Sequence, residues 1–152
     1  MSFSTTNHTN QTPKAENSWS TTCDFKEQKD ILFKNECYEI NNCIYTVNRK
    51  LGTGFLETVY QEALEIELRR KNIPFTAQQE LEILYDGFPL TNKYIADIIC
   101  YEKIIIELKS VTKINNQHKA QLMNYLAVTR YNLGLLVNFN SYPKVEIIRI
   151  VR

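Results

Sequence analysis

The sequence predicts an α/β (α+β) domain in which a central mixed β-sheet is flanked by helices. Two observations lead there. The predicted elements run in the order α-α-β-β-β-α-β-β, and clustered strands bordered by helices pack as helix-on-sheet layers. The central strands are apolar on both faces, at Ile98 and Ile99 and again from Ile104 to Ile106, which is the pattern of strands covered on both sides. A length of 152 residues suits one domain with a single hydrophobic core.

Residues 1–24 are rich in Ser, Thr, Asn and Gln and hold few large apolar side chains, so they read as a disordered polar tail. Trp19 is the one feature of interest there, and it reads as an incidental aromatic ahead of a surface docking residue. The folded domain is expected over residues 25–152. From about Phe25 to Arg49, the apolar positions Phe33, Cys37, Ile40, Ile44, Val47 and Leu51 recur at steps of three and four, which predicts a helix with one buried face. Gly52-Thr-Gly54 breaks it. A second helix spans about Leu56 to Lys71 and ends at Asn72 and Pro74. Ala77 to Tyr85 alternates at Leu81, Ile83 and Tyr85, and Asp86-Gly87 marks a turn. A strand hairpin at 93–111 follows, then a helix over Asn116 to Thr129. Two strands close the chain, Gly134 to Phe139 and Val145 to Val151, with Pro143 between them.

Hydrophobic residues form 43% of the chain and aromatics 11%, enough for a packed body. The net charge of +1 leaves no global footprint for polyanions, so nucleic-acid contacts must come from local clustering. The four cysteines form no CxxC pair and have no matched histidine pair, which argues against a zinc site. Cys37 and Cys100 fall in apolar patterns and read as core residues of a reducing compartment. There is no basic-then-apolar leader and no apolar run near the ~20 residues that span a bilayer. The expectation is a cytoplasmic protein without membrane contact.

Asp97, Glu107 and Lys109 stand out because they interrupt apolar strands, where charge is costly unless paired or bound to an ion. A hairpin folding about Glu102 pairs positions that sum to 204 and sets Asp97 opposite Glu107. Their Cβ atoms are then roughly 4.5–5.5 Å apart, with Lys109 on the same face. A one-residue slip would turn one acid to the other face. Two carboxylates so close repel unless a cation lies between them, and a hard ion such as Mg²⁺ or Mn²⁺ prefers oxygen ligands. A lysine beside it can orient or deprotonate an attacking water. A plain strand salt bridge between Glu107 and Lys109 is the alternative reading of this spacing.

Two helical motifs join this set. Gly54, Glu57 and Tyr60 form G-x-x-E-x-x-Y, with Glu57 and Tyr60 on one helix face and Glu57 near the positive end of the helix. On the later helix Gln121 and Tyr125 are four apart, with His118 one turn earlier and Lys113 and Lys119 close by. Gln121 can hold the lysine or the water, and Tyr125 and the lysines can meet phosphates. Each also has a bland explanation: dipole compensation for Glu57, packing for the tyrosines, capping for His118 and solvation for the amide and lysines.

Taken in order, Glu57, Asp97, Glu107-Leu-Lys109 and Gln121-x-x-x-Tyr125 resemble the PD-(D/E)XK nuclease superfamily, and the last element is similar to its RecB-like branch. The stretch from about Ile31 to Arg152 resembles the small bacterial GxxExxY proteins in five blocks. These are Gly52–Tyr60, Tyr94–Asp97, Ile106–Val111, His118–Leu126 and Gly134–Phe139. The resemblance implies a restriction-endonuclease-like core and a Mg²⁺-dependent nuclease acting on DNA more readily than RNA, with metal-activated water attacking the phosphate. It implies metal ligation by Glu57, Asp97, Glu107 and the Leu108 backbone carbonyl, and catalysis by Asp97, Glu107, Lys109 and Gln121. Tyr60, Tyr125, His118, Lys113 and Lys119 would contact substrate, and a homodimer or a partner protein would supply specificity. Ala96 stands where the superfamily name has proline, and Asn140 replaces an expected glycine. The competing function is a catalytically silent nucleic-acid-binding or interaction module on the same fold, and a weaker one is a structural domain whose charges form salt bridges.

Overall fold

The structure is a computed structural model that describes residues 30–152 together with Ser2. The expectations for the polar tail, and for a first helix beginning near Phe25, lie outside the described residues. The elements are α1 (Lys34–Leu51), α2 (Glu57–Arg70), β1 (Phe75–Tyr85), β2 (Phe88–Cys100), β3 (Ile104–Lys109), α3 (Asn116–Thr129), β4 (Leu133–Asn138) and β5 (Glu146–Val151). Their order is the predicted one. The five strands form one sheet in the order β1-β2-β3-β4-β5. β3 and β4 run parallel, joined by the α3 crossover such a pair requires, and the other neighbours are antiparallel. The fold is therefore α+β around a mixed sheet, as expected.

Alternation sends the sheet's side chains into two cores. Ile98, Cys100, Ile104, Ile106, Leu108, Leu133, Leu135 and Val137 pack under α1 and α2, against Ile40, Ile44, Tyr60, Leu64 and Leu68. Ile99, Ile105 and Leu136 pack under α3, against Leu122, Tyr125 and Leu126. The central strands are covered on both faces, which is why they read as unbroken apolar runs. No helix among the described residues is long and apolar enough to cross a membrane.

Two boundaries differ from expectation. α1 starts at Lys34 because Phe33 sits at φ 53, a left-handed conformation that cannot continue a helix. Its ring instead packs beside the core under α1 and α2 and carries the Lys103 ammonium 4.2 Å above it. β2 begins at Phe88 rather than near residue 93. Asp86 (φ 49) and Gly87 (φ 82) make a two-residue turn between the paired Tyr85 and Phe88, although Phe88-Pro-Leu-Thr-Asn92 shows no alternation. The hairpin register follows the predicted sum, with Ile98↔Ile106, Ile99↔Ile105 and Cys100↔Ile104. Its turn places Tyr101 and Glu102 at φ 54 and 55 without a glycine or asparagine, and Lys103 N–H donates to the Cys100 carbonyl at 3.1 Å. The turn is held from outside: Tyr101 N–H donates to the Pro74 carbonyl at 2.9 Å, and Lys103 pairs with Glu36 at 2.6 Å.

At Asp97 the sheet opens. The β2–β3 ladder stops at Ile98↔Ile106, one pair short of Asp97 and Glu107. Strict alternation also breaks, since Tyr94, Ala96 and Ile99 all join the α3-side core. Across β1, pairing passes from Ala77↔Ile98 to Gln79↔Ala96, and Gln78 lies between them at φ 51. An irregularity of this kind re-aims a side chain that the pleat would otherwise place.

Candidate active site

The expected cross-strand opposition of Asp97 and Glu107 is not a ladder pair. Asp97 Oδ2 instead accepts the backbone N–H of Leu108 at 2.8 Å. The carboxylate thus stands in for the backbone acceptor that a continuing β2 would have offered. A strand residue turns its N–H and C=O to the same side, so the Leu108 carbonyl faces the same gap.

Glu107 is 3% exposed and lies between β2 and β4, where Glu107 pairs with Leu136. Its Oε1 accepts from Lys109 Nζ at 2.9 Å, whereas its Oε2 is buried with no hydrogen-bond partner. Lys109 Nζ also donates to Gln121 Oε1 at 3.0 Å, and Gln121 Nε2 donates to the Tyr125 hydroxyl at 2.8 Å. That chain of contacts orients the amide unambiguously, with its oxygen on the ammonium. The first turn of α3 is fixed by a reciprocal cap. His118 N–H donates to Asn115 Oδ1 at 3.0 Å, and Asn115 N–H donates to His118 Nδ1 at 3.2 Å.

Electrostatics reflect this crowding. Burial, reinforced by the charge of Asp97, pushes the Glu107 carboxyl up to about 7 despite its bond to Lys109. Burial also raises Asp97, against the Leu108 N–H and the Lys109 ammonium. Burial works to lower Lys109, but the bond to Glu107 and the charges of Glu107, Glu57 and Asp97 prevail, so its pKa is raised. Two reluctant carboxylates, one with an unpartnered buried oxygen, suit a hard divalent cation, which takes oxygen ligands and neutralises both. Among the described residues no three His, Cys, Asp or Glu side chains group closely enough to hold a metal by themselves. The donors on hand are therefore two carboxylates and a carbonyl, a set of the size Mg²⁺ commonly takes from protein.

A family profile described as PD-(D/E)XK nuclease superfamily matches residues 34–150, well over half of the sequence. The chain belongs to the PD-(D/E)XK nuclease superfamily. No curated protein matches the sequence. Among solved structures, the crystal structure of SSO0001 is similar at 26% identity and a TM-score of 0.47, over 63% of this chain and 50% of that one. This chain thus spans about half the length of that protein, and a likeness of that size transfers nothing from it.

The remaining candidate residues of this PD-(D/E)XK domain fall into three groups. Glu57 opens α2 next to the site: its Oε1 accepts the Ser110 N–H at 3.2 Å, and its charge helps raise both Asp97 and Glu107. Tyr60 and Tyr125 do not present themselves to a substrate. Tyr60 is fully buried, stacked on Phe139 at 4.4 Å and 3°, and its hydroxyl donates to the Gly52 carbonyl at 2.7 Å and accepts from Phe55 N–H at 3.3 Å. Tyr125 is 5% exposed, 5.1 Å from the Tyr94 ring, and its hydroxyl is spent on Gln121. Both tyrosines position other residues. His118 gives Nδ1 to its cap, while Lys113 and Lys119 are exposed.

Sequence reasoning missed three polar residues. Ser110 follows Lys109, and its hydroxyl donates to the Phe55 carbonyl at 2.6 Å, pinning the loop that carries Glu57. Asn138 is wholly buried at the end of β4 and brackets Val111, accepting its N–H at 3.1 Å and donating to its carbonyl at 2.8 Å. Gln78 donates to Asp97 Oδ1 at 3.4 Å. A buried-strand asparagine is a readable signal; nothing in spacing marks the other two. Beside Glu57 an open hollow of about 490 Å³ is lined by Gly54, Phe55, Leu56, Thr58, Ser110 and Asn140.

Proposed function

We propose that this protein is a Mg²⁺- or Mn²⁺-dependent nuclease that hydrolyses phosphodiester bonds in DNA, and that it stands with the GxxExxY proteins of the RecB-like branch. The observation that carries this reading is the buried Glu107 Oε2, left without a partner in the field of Asp97. Asp97, Glu107 and the Leu108 carbonyl would hold the ion, with Glu57 at the start of α2 adding negative charge beside them. When bound, it supplies a Lewis acid that lowers the pKa of a water and offsets charge on the phosphate.

The chain's own residues then divide the work. Asp97 and Glu107 would ligate as carboxylates, and the Glu107 carboxyl, pushed up to about 7 by burial, would make that ligation dependent on pH. Lys109, held by Glu107 and Gln121, would stand beside the attacking water, to orient or deprotonate it. Gln121, braced by Tyr125, fixes where that ammonium points. Lys113 and Lys119 lie near the start of α3 and would meet the phosphate backbone. The buried free cysteines Cys37, Cys43 and Cys100 favour a reducing, cytoplasmic setting. So small a core has little surface for reading base edges, which favours structure- or end-directed cutting, or a second copy or partner that adds specificity.

The test is a cleavage panel of single-stranded, duplex and branched DNA and RNA with Mg²⁺ or Mn²⁺. Cutting that is abolished by Lys109→Ala in a protein that still folds supports the reading. Binding without cutting, unchanged in Asp97→Asn, would transfer support to the silent binding module.

A further inference from the structure

We infer that Gln78 is a positioning residue for Asp97, held in a left-handed backbone so that its amide reaches across β1–β2 and fixes the carboxylate; this rests on Asp97 being a metal ligand as proposed above. The pairs Ala77↔Ile98 and Gln79↔Ala96 leave Gln78 and Asp97 facing each other with no ladder pair of their own. Gln78 adopts φ 51 in mid-strand, where a side chain is disfavoured and glycine would be at ease. Strain of this kind persists where the surroundings over-determine it, characteristically around functional sites.

The amide has both its hydrogens committed. Gln78 Nε2 donates to Gln61 Oε1 on α2 at 2.7 Å and, in a longer contact, to Asp97 Oδ1 at 3.4 Å. Both partners are acceptors at these atoms, so only the NH₂ end can face them. Asp97 is then gripped from both sides, Oδ2 by the Leu108 N–H and Oδ1 by Gln78. Gln61 is in turn held at its own amide by Glu65 Oε1 at 3.1 Å. The result is a short relay from α2 through β1 to the ligand on β2. Groups that hold a metal ligand in place in this way contribute to affinity without touching the ion.

Full-length Gln78→Gly tests this by calorimetric titration with Mn²⁺ alone and by thermal melting. Glycine accepts the left-handed φ, so the variant is expected to melt at or above the wild-type temperature while binding Mn²⁺ about 10-fold more weakly. Gln61→Ala should weaken binding in the same direction, and adding it to Gln78→Gly should bring no further loss, because both act through one amide. Unchanged Mn²⁺ affinity in Gln78→Gly, beside a wild type that binds, overturns the inference and leaves the nuclease reading standing. A wild type that binds no Mn²⁺ overturns the metal reading itself, and the inference with it.

Discussion

Asp97 accepts the Leu108 backbone N–H at 2.8 Å, at the point where β2 and β3 stop pairing. One side chain thereby seals the end of the ladder and keeps a carboxylate in the gap beside Glu107. The exchange Asp97→Asn can preserve this bond through its amide oxygen, whereas Asp97→Ala leaves the N–H of a buried residue unpaired. We expect Asp97→Asn to keep the wild-type urea midpoint and lose divalent-ion binding. Asp97→Ala should cost about 1–3 kcal/mol as well. Denaturation curves paired with calorimetry separate the two effects.

Glu107 carries a pH signature. Its folded pKa, about 7, lies above the ordinary 4.5, so folding favours the protonated acid. The stability it contributes is fully present below about pH 4.5 and lost as pH rises through about 7, an effect of about 3 kcal/mol in order of magnitude. Glu107→Gln should therefore melt above the wild type near pH 8 without divalent ions, and the difference should vanish near about pH 4. A variant that melts lower at both pH values would show that the charge is stabilised in the fold.

The same protonation governs metal binding. A cation must displace the Glu107 proton at low pH but not above the carboxyl's pKa. Mg²⁺ should raise the melting temperature clearly at about pH 8 and little at about pH 5.5, and the pH dependence should disappear in Glu107→Gln. Thermal shift across pH, with and without chelator, reads this directly.

Tyr60 should behave as a latch. Tyr60→Phe keeps the stack on Phe139 and removes only the hydroxyl that ties Gly52 and Phe55. It should cost about 1 kcal/mol of stability yet loosen the loop that carries Glu57, lowering cleavage more than folding. Tyr60→Ala should cost about 3–5 kcal/mol by opening the core. Equal activity in Tyr60→Phe and wild type would remove the latch role.

Gly134 tests the α3 face. A Cβ there would meet the Leu122 side chain at 2.7–2.9 Å, so Gly134→Ala should destabilise by about 1–3 kcal/mol and disturb the helix that carries Gln121. Chemical denaturation measures it, and the Gly134→Ala/Leu122→Ala pair should lose less than the sum of the separate costs, because the shortened Leu122 no longer meets the new methyl.

Sequence by itself determined the order of elements, the limits of α3, the hairpin register about Glu102, and the shared neighbourhood of Glu107, Lys109 and Gln121. These are legible because helix and strand periods are local, and because a hairpin's register follows from where it turns. Tertiary structure alone decided the rest. It broke the alternation at Asp97, committed the tyrosine hydroxyls to the interior, and brought Ser110 to Glu57 and Gln78 to Asp97 across 53 and 19 residues. Those contacts depend on how two helices and a kinked strand pair seat on the sheet, and packing between distant segments leaves no periodic trace along the chain.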